Sequence, residues 1–511
     1  MQTDDESMKR IPSYFYLLFF FLNLTSYAQE QGKTKILYSG DTWQFNKEIY
    51  PDGPRLLGNV VMNHDSAFLY CDSAWVNEAE NRIIAYSNVR VKLSDTLNLY
   101  CDSLRYSGNT KIANANSNVR LIDNQTILTT DTLVFDRNTQ VAKYDYWGKI
   151  VNDKNILVSH FGYYFTDLKK FFFKEKVTLL NPDYTMYSDT LMYNTVTETA
   201  YFYGPSHIIS KDKKDSIYCE NGWYDTRTDV SRFRDRAKIY HEFTFLTGDS
   251  MYYERKKEYG QVFKHAVIID TLQDILLLGN YGEMQQQKGF AFMTDSAVAV
   301  IADKNDSLFM HGDTIRATFD SAKNIKDVFC YFKVKFFRRD LQGMCDSLHL
   351  LAKDSSMTMY HEPVIWSDSN QLSADSITLI MRNGEADSLK MYGTAFIISK
   401  DDSAKFNQIK GRAIFAKFRK NELYKINVMG NAQTVYYGRE EDRTLIGINT
   451  VVSSDMLIYL ENNQLKSITF LTNPDAHTYP EKDLPAEERK LKSFKWVEEQ
   501  RPRVKSDIFR W

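Results

Sequence analysis

Residues 87–106 read SNVRVKLSDTLNLYCDSLRY, and residues 117–135 read SNVRLIDNQTILTTDTLVF. In each stretch a strand-like segment alternates apolar and charged residues, and a second segment closes on Asp followed by Ser or Thr. Alternation with a period of two places the apolar residues on one face of a β-strand and the charged residues on the other. Each stretch therefore predicts two strands with one buried face and one wet face.

The Asp-Ser or Asp-Thr motif recurs along most of the chain. Asp72, Asp102 and Asp131 are 30 and 29 residues apart, and Asp346 precedes Asp375 by 29 residues. Further copies lie at Asp189, Asp249, Asp295, Asp313 and Asp455. Because self-similarity at a fixed interval is typical of repeat folds, we expect an all-β chain built from units of about 29 residues.

Each Asp of the motif is interpreted as part of a corner. Asp and Ser side chains bond nearby backbone N–H groups where a chain changes direction. A ladder of cation ligands is the alternative, but the Asp-x-Asp-x-Gly loop of calcium sites does not accompany the motif. The sequence therefore favours corners between paired strands.

Composition limits the function classes. The 511 residues are 43% hydrophobic and 14% aromatic, with a formal net charge of −2. This length indicates more than one core, and the balanced charge argues against binding nucleic acid. The abundant Tyr and Phe, with Val, Ile and Thr, suit half-buried pleated surfaces better than helices.

The N-terminal residues resemble a secretory signal peptide. Lys9 and Arg10 precede an apolar run over residues 14–22, and the small-residue site Ser26-Tyr27-Ala28 follows. A membrane anchor is the alternative, but the run has about half the length that spans a bilayer. We expect translation to start at Met8, cleavage near Ala28, and export to the periplasm.

The repeat divides the chain into four expected regions. Residues 1–28 are the signal peptide, 29–265 an N-terminal β-jelly-roll block, 266–475 a C-terminal β-repeat block, and 476–511 a charged tail. The boundary between the blocks is placed where the repeat is weakest, within residues 254–289. The tail opens like a helix at residues 485–492, and it is either a solvated segment or a docking peptide.

Cys71 and Cys101 occupy the same position of adjacent repeats. If one repeat separates neighbouring strands, the two residues lie about 5 Å apart and a disulfide is possible. The alternative is a pair of small buried thiols. The sequence favours the buried thiols and leaves the disulfide open.

The sequence shows no convincing catalytic or metal centre. The nine His residues are scattered, and pairs such as His64-Asp65 and His241-Glu242 do not share a face in a strand. A P-loop and a nucleophile elbow are both missing from the sequence. We therefore expect a protein that is not an enzyme and that needs no cofactor or metal.

The strings SNVRVKLSDTLNLYCDSLRY, SNVRLIDNQTILTTDTLVF and EKVTLLNPDYTMYSDTLMYN resemble the OstA-like or LptA-like family of periplasmic lipopolysaccharide transport, named after organic solvent tolerance. The resemblance covers residues 33 to about 200, with weaker copies to about 470. It implies a twisted antiparallel β-jelly-roll, here of two stacked blocks with a short helical or charged tail. Its two sheets splay open around an apolar cleft.

The resemblance also implies site residues and partners. The lipid-facing candidates are the inward aliphatics of the first repeats: Val60, Val89, Val91, Leu99, Val119, Leu121, Leu128, Leu133, Val177 and Leu191. The implied partners are lipopolysaccharide or a related acylated lipid, and other jelly-roll transport proteins that pair with edge strands. Attachment to the membrane would be peripheral.

The leading hypothesis is lipid binding and transfer between the inner and outer membranes, or assistance to outer-membrane lipopolysaccharide assembly. The alternative is a structural or adhesive β-repeat protein that binds proteins or glycans. An envelope hydrolase on a β scaffold is a third hypothesis, supported only by the abundance of carboxylates.

Overall fold

A computed structural model describes residues 34–49, 51–271, 274–302, 306–322, 324–382, 385–402, 404–419, 422–440, 442–461 and 464–511. The expected signal peptide lies outside these residues. The strands are β1 (Leu37–Ser39), β2 (Thr42–Gln44), β3 (Arg55–His64), β4 (Ala67–Asn77), β5 (Arg82–Lys92), β6 (Leu97–Ser107), β7 (Ile112–Asp123), β8 (Thr126–Asp136), β9 (Val141–Tyr144), β10 (Gly148–Asn152), β11 (Asn155–Ser159), β12 (Phe161–Phe165), β13 (Lys170–Leu180), β14 (Tyr184–Asn194), β15 (Thr199–Ser210), β16 (Asp215–Asp225), β17 (Val230–His241), β18 (Thr244–Glu254), β19 (Tyr259–Asp270), β20 (Ile275–Gln285), β21 (Phe290–Ile301), β22 (Leu308–Phe319), β23 (Ile325–Arg338), β24 (Leu341–Leu351), β25 (Ser356–Tyr360), β26 (Val364–Ser367), β27 (Asn370–Ser373), β28 (Ser376–Arg382), β29 (Glu385–Lys400), β30 (Phe406–Arg419), β31 (Glu422–Arg439), β32 (Leu445–Glu461), β33 (Gln464–Leu471) and β34 (Asp475–Tyr479). Short 3-10 helices span Arg255–Lys257, Gln286–Lys288, Glu498–Gln500 and Lys505–Phe509.

All of these strands belong to one antiparallel sheet, in which most strands pair with their neighbours in the chain. The sheet is folded along its length into two facing walls, so the fold is an all-β jelly roll, as predicted. Wall A contains strand halves such as residues 89–92 and 97–100, and wall B contains the other halves, such as 82–86 and 103–107. Alternate residues of both walls point into the space between them.

The bend between the walls lies at the repeated motif, as the corner interpretation predicted. The β5–β6 register shifts between Tyr86 and Val89, where Ser87 and Asn88 both have positive φ. The Ser87 Oγ and the Asn88 Nδ2 donate hydrogen bonds to Asp72 Oδ2 at 2.6 and 2.7 Å. In the next repeat, Asn118 Nδ2 donates to Asp102 Oδ2 at 2.6 Å. In these two repeats the bulge turns the strand sharply, and an Asp from the neighbouring strand holds it in place.

Two stretches interrupt the continuous bent strands. Between β8 and β13, strands β10 and β11 continue wall A, whereas β9 and β12 continue wall B. Between β24 and β29, strands β26 and β27 continue wall A, whereas β25 and β28 continue wall B. β19 crosses the expected block boundary at 265/266 and pairs with β18 and β20. The division into two blocks stays a prediction.

Residues 480–511, here called the strap, lie across the outer face of wall A in the C-terminal half. Leu484 packs on Val435 and Tyr437, and Val497 packs on Val364 and Trp366. The prediction of a helix at residues 485–492 was wrong, because this segment forms turns. Its backbone bonds to the sheet instead: Gln408 Nε2 donates to Arg489 O at 2.8 Å, and Leu491 N–H donates to Gln408 Oε1 at 2.9 Å.

The topology places Cys71 and Cys101 too far apart for the disulfide that the sequence allowed. Each repeat contributes two strands, so β5 lies between β4 and β6 and separates the two residues. Two strand spacings amount to about 10 Å, beyond the reach of a disulfide. Both are buried free thiols, and burial raises the pKa of each to about 12.

Candidate functional site

The space between the two walls is the candidate site, and aromatic side chains fill it in the N-terminal half. Tyr164, Phe171 and Phe173 stack on one another, with ring centroids 4.0 and 5.5 Å apart. They belong to a fully buried set that also includes Phe135, Tyr144, Tyr193, Phe202 and Phe233. This part of the interior is a close-packed core.

Polar contacts close the open edge of the walls over the same region. From wall B, Lys111 Nζ donates to Asp65 Oδ2 of wall A at 2.8 Å. Lys169 Nζ and Tyr164 OH donate to the buried Asp123 at 2.6 and 2.5 Å. Burial and the Asp123 carboxylate both raise the pKa of Tyr164, so its hydroxyl stays protonated and donates. These contacts link turns of wall A to turns of wall B at the open edge, and they shield the core from solvent.

Arg255 and Asp215 form a further contact across the edge at 3.7 Å, next to the point where the interior opens. Beyond it, a cavity of about 180 Å³ lies between the walls. Its wall A side includes four half-buried aliphatic residues, Ile239, Leu246, Ile268 and Leu277, and the polar residues His241, Thr244 and Asp270 lie nearer the open edge. The interior here is an apolar slit rather than a filled core.

Small residues on wall B create this slit. Gly260, Gly282, Ala291 and Ala317 occupy inward positions on successive strands β19–β22. The aromatic residues Phe173, Phe202 and Phe233 take the inward positions of wall B in the N-terminal half. Gly260, Ala291 and Ala317 place little side-chain volume opposite the wall A aliphatics, whereas Val262 and Met293 fill the space beside Gly282.

Two larger cavities continue the slit toward the C-terminal edge. One of about 460 Å³ has an apolar floor that includes Leu341, Leu372 and Leu389. The other, of about 800 Å³, has Ile397, Ile409, Ile458 and Ile468 among its lining residues. The interior is thus open along β17–β33, in three sections.

Charged side chains stand at the mouths of the two larger cavities. Arg338, Arg339, Arg501 and Arg503 line the 460 Å³ cavity, and the strap supplies the last two. Arg501 donates to Gln342 Oε1 at 2.8 Å and to Asp368 O at 2.9 Å, which holds its guanidinium at the edge of wall A, at the mouth of the cavity. A slit with an apolar floor and a charged rim has the chemistry of an amphiphile-binding site.

The described residues hold no group of three or more His, Cys, Asp or Glu side chains that could bind a metal ion. Among the same residues, no helix is long and apolar enough to cross a membrane.

Comparison with known proteins identifies the N-terminal region. Residues 33–189 match the family model described as OstA-like protein. This part of the chain is OstA-like. The matched residues comprise the strands from β1 into β14, with the corner motif at Asp72, Asp102, Asp131 and Asp189.

Among solved structures, the chain is similar to LptH from Pseudomonas aeruginosa, the LptA-homologous periplasmic component of the lipopolysaccharide transport device. The identity is 13% and the TM-score 0.19, with 21% of this chain and 76% of that chain covered. No curated protein matches the chain.

The ten candidate residues all lie inside the walls, and all but Leu191 belong to the OstA-like region. Each is at most 8% exposed, so the structure brings them together as one core, in which Val91 and Leu99 line a small void of about 30 Å³. Their role as lipid contacts stays a prediction. Sequence reasoning missed the slit itself, whose signal was the series of small residues Gly260, Gly282, Ala291 and Ala317 at inward positions.

Proposed function

We propose that the protein binds and shields acylated lipid, of which lipopolysaccharide is the leading candidate, and passes it between membranes without making or breaking covalent bonds. The observation that carries this proposal is the apolar slit between Leu277 and its neighbours on wall A and the small residues of wall B. The OstA-like region supports it. Its family resemblance implies lipopolysaccharide transport in the periplasm.

Energetics favour such a slit. Exposing hydrocarbon to water costs about 0.8 kcal/mol per CH₂, or about 10 kcal/mol for a twelve-carbon chain. Half-buried aliphatics on wall A can contact an acyl chain without first breaking a packed core. The open edge lets a bulky polar headgroup remain in water, beside Arg338 and Arg501 at the mouth of the adjoining cavity.

We also propose that other jelly-roll transport proteins bind at the sheet edges. β1 and β2 lie beside β3 at one edge, where Leu37 and Trp43 are exposed. β33 and β34 lie beside β32 at the other. Unpaired backbone groups at such edges are templates for a strand of another chain.

The test is capture of a monomeric fluorescent acyl probe by the purified protein. Leu277→Asp places a carboxylate in the slit and should weaken probe binding about tenfold or more, because burying a charge in an apolar site is costly. Ala291→Leu should weaken binding by filling the slit, and it adds no charge. Ile122→Asp is the control, because Ile122 lies on the outer face of wall A on β7.

Competition then identifies the lipid. Displacement of the probe by lipopolysaccharide at lower concentration than by phospholipid supports the leading candidate, whereas the reverse order would assign the slit to phospholipid. Failure of the wild-type protein to bind any probe, or equal binding by the slit variants and Ile122→Asp, would refute lipid binding in the slit.

A further inference from the structure

The outer face of wall A becomes apolar at β19–β21. Residues 266–269 read AVII, 276–278 read LLL, and 297–301 read AVAVI, so apolar residues take both faces of these strands. Such continuous runs are typical of strands that are buried on both sides. The outward members form a patch, here called the outer strip: Val267, Ile269, Leu276, Leu278, Val298 and Val300. Val298 is buried, at 6% exposure, and the other five are half-buried.

The outer strip consists of two rows of side chains that pair across neighbouring strands. Both rows continue under the strap, where they include polar side chains. The row of Leu276 and Val300 continues through Phe309 and Phe337 to Gln342. It then passes through Trp366 to Gln371, and through Ile398 to Gln408. The row of Leu278 and Val298 continues through His311 to Lys335. The strap is adjacent to the strip, since the Phe509 ring lies 4.7 Å from that of His311.

Under the strap, these rows bind a peptide backbone. Gln371 Nε2 donates to Lys495 O at 2.7 Å, and Val497 N–H donates to Gln371 Oε1 at 2.8 Å. Gln408 holds the strap in the same way, and Lys335 Nζ donates to Gln500 O at 3.2 Å. The six side chains of the outer strip carry no polar atom. A peptide laid on the strip would therefore find no side-chain partner for its backbone groups.

The area of the strip argues against a second copy of this chain. Strands are about 4.8 Å apart and residues of one face about 7 Å apart, so the strip presents on the order of 200 Å². A stable dimer buries about 800 Å² on each partner. Hydrocarbon needs neither hydrogen-bond partners nor a large complementary face.

We propose that the outer strip docks on a lipid bilayer surface. This inference rests on the proposed lipid-binding function, because Leu277 faces the slit between Leu276 and Leu278, which face outward. Docking of wall A would therefore place the slit next to the membrane that donates or receives the lipid. The aromatic side chain of Phe245 on β18 flanks the strip on the side away from the strap, and such rings are favoured at bilayer interfaces.

The experiment is flotation of the mature protein, residues 29–511, with vesicles of phosphatidylethanolamine and phosphatidylglycerol, and with phosphatidylcholine vesicles. Wild type should float with both, because the contact is apolar. Leu278→Asp should reduce the bound fraction about tenfold, since a buried Leu contributes about 2 kcal/mol. Val300→Asn is a second, uncharged variant. Ile122→Asp, on the same outer face at β7, should bind like wild type.

The two proposals fail separately. Leu277→Asp should lose capture of the monomeric probe and keep vesicle binding, whereas Leu278→Asp should do the reverse, which also shows that it is folded. Absence of wild-type flotation would overturn membrane docking, even if the probe binds. Equal flotation of Leu278→Asp, Val300→Asn and Ile122→Asp would overturn it as well. A wild-type dimer that Leu278→Asp dissociates, without vesicle binding, would assign the strip to a second copy.

Discussion

At the residue scale, Asp side chains hold the corner bulges in several repeats. Asp72 accepts hydrogen bonds from Ser87 and Asn88, both held in the left-handed region. We expect Asp72→Ala to lower the free energy of unfolding by about 1 kcal/mol, because these exposed bonds are lost while the strained pair remains. Urea denaturation measures the effect.

The control is Asp95→Ala, which removes only an exposed surface ion pair and should change the free energy of unfolding by less than about 0.5 kcal/mol. An equal loss of stability in both variants would contradict the role of Asp72 at the corner.

The edge contact at Asp65 predicts a pH dependence. Hydrogen bonds from Lys111 and Thr34 hold the pKa of Asp65 at about 2. Because its folded pKa lies below its unfolded pKa, this carboxylate contributes stability above about pH 4 that is lost as the pH falls toward 2. The stability difference between wild type and Asp65→Asn should therefore shrink over that interval. Urea midpoints at successive pH values test this, and a constant difference would contradict it.

At the element scale, the strap is held by side-chain amides on wall A. Gln371→Ala and Gln408→Ala each remove a donor and an acceptor for strap backbone groups. We expect faster trypsin cleavage at residues 489–495 in both variants, because strap opening exposes these Lys and Arg residues. Gln433→Ala, also on the outer face of wall A, is the control. Identical cleavage rates in all three would contradict this attachment.

The strands were predictable at this scale and the strap was not. The motif around Asp102 marks the bulge, and the alternation of residues 89–93 marks the buried face, so both are determined by residues that are close in sequence. The strap conformation depends on Gln408 and Gln371, which lie 80 or more residues away in the chain. Residues 485–492 have a helix-like sequence, and tertiary contacts override that preference.

At the scale of the whole molecule, sequence predicted which side chains point inward but not where the interior is open. The candidates Val89 and Leu133 do point inward, into a closed core. Whether an inward residue meets a ring or empty space depends on the facing wall. The pairing of Leu277 with the small residues Gly282 and Ala291 emerges only once the sheet is folded.

The most direct test of a lipid-bearing slit is site-specific photocrosslinking to lipopolysaccharide. A photoreactive side chain would replace Leu277 in the slit, Leu133 in the filled core, or Ile122 on the outer face. The slit account predicts strong lipid adducts at position 277 and weak ones at the other two. No adduct at position 277, or an equal yield at position 122, would contradict it.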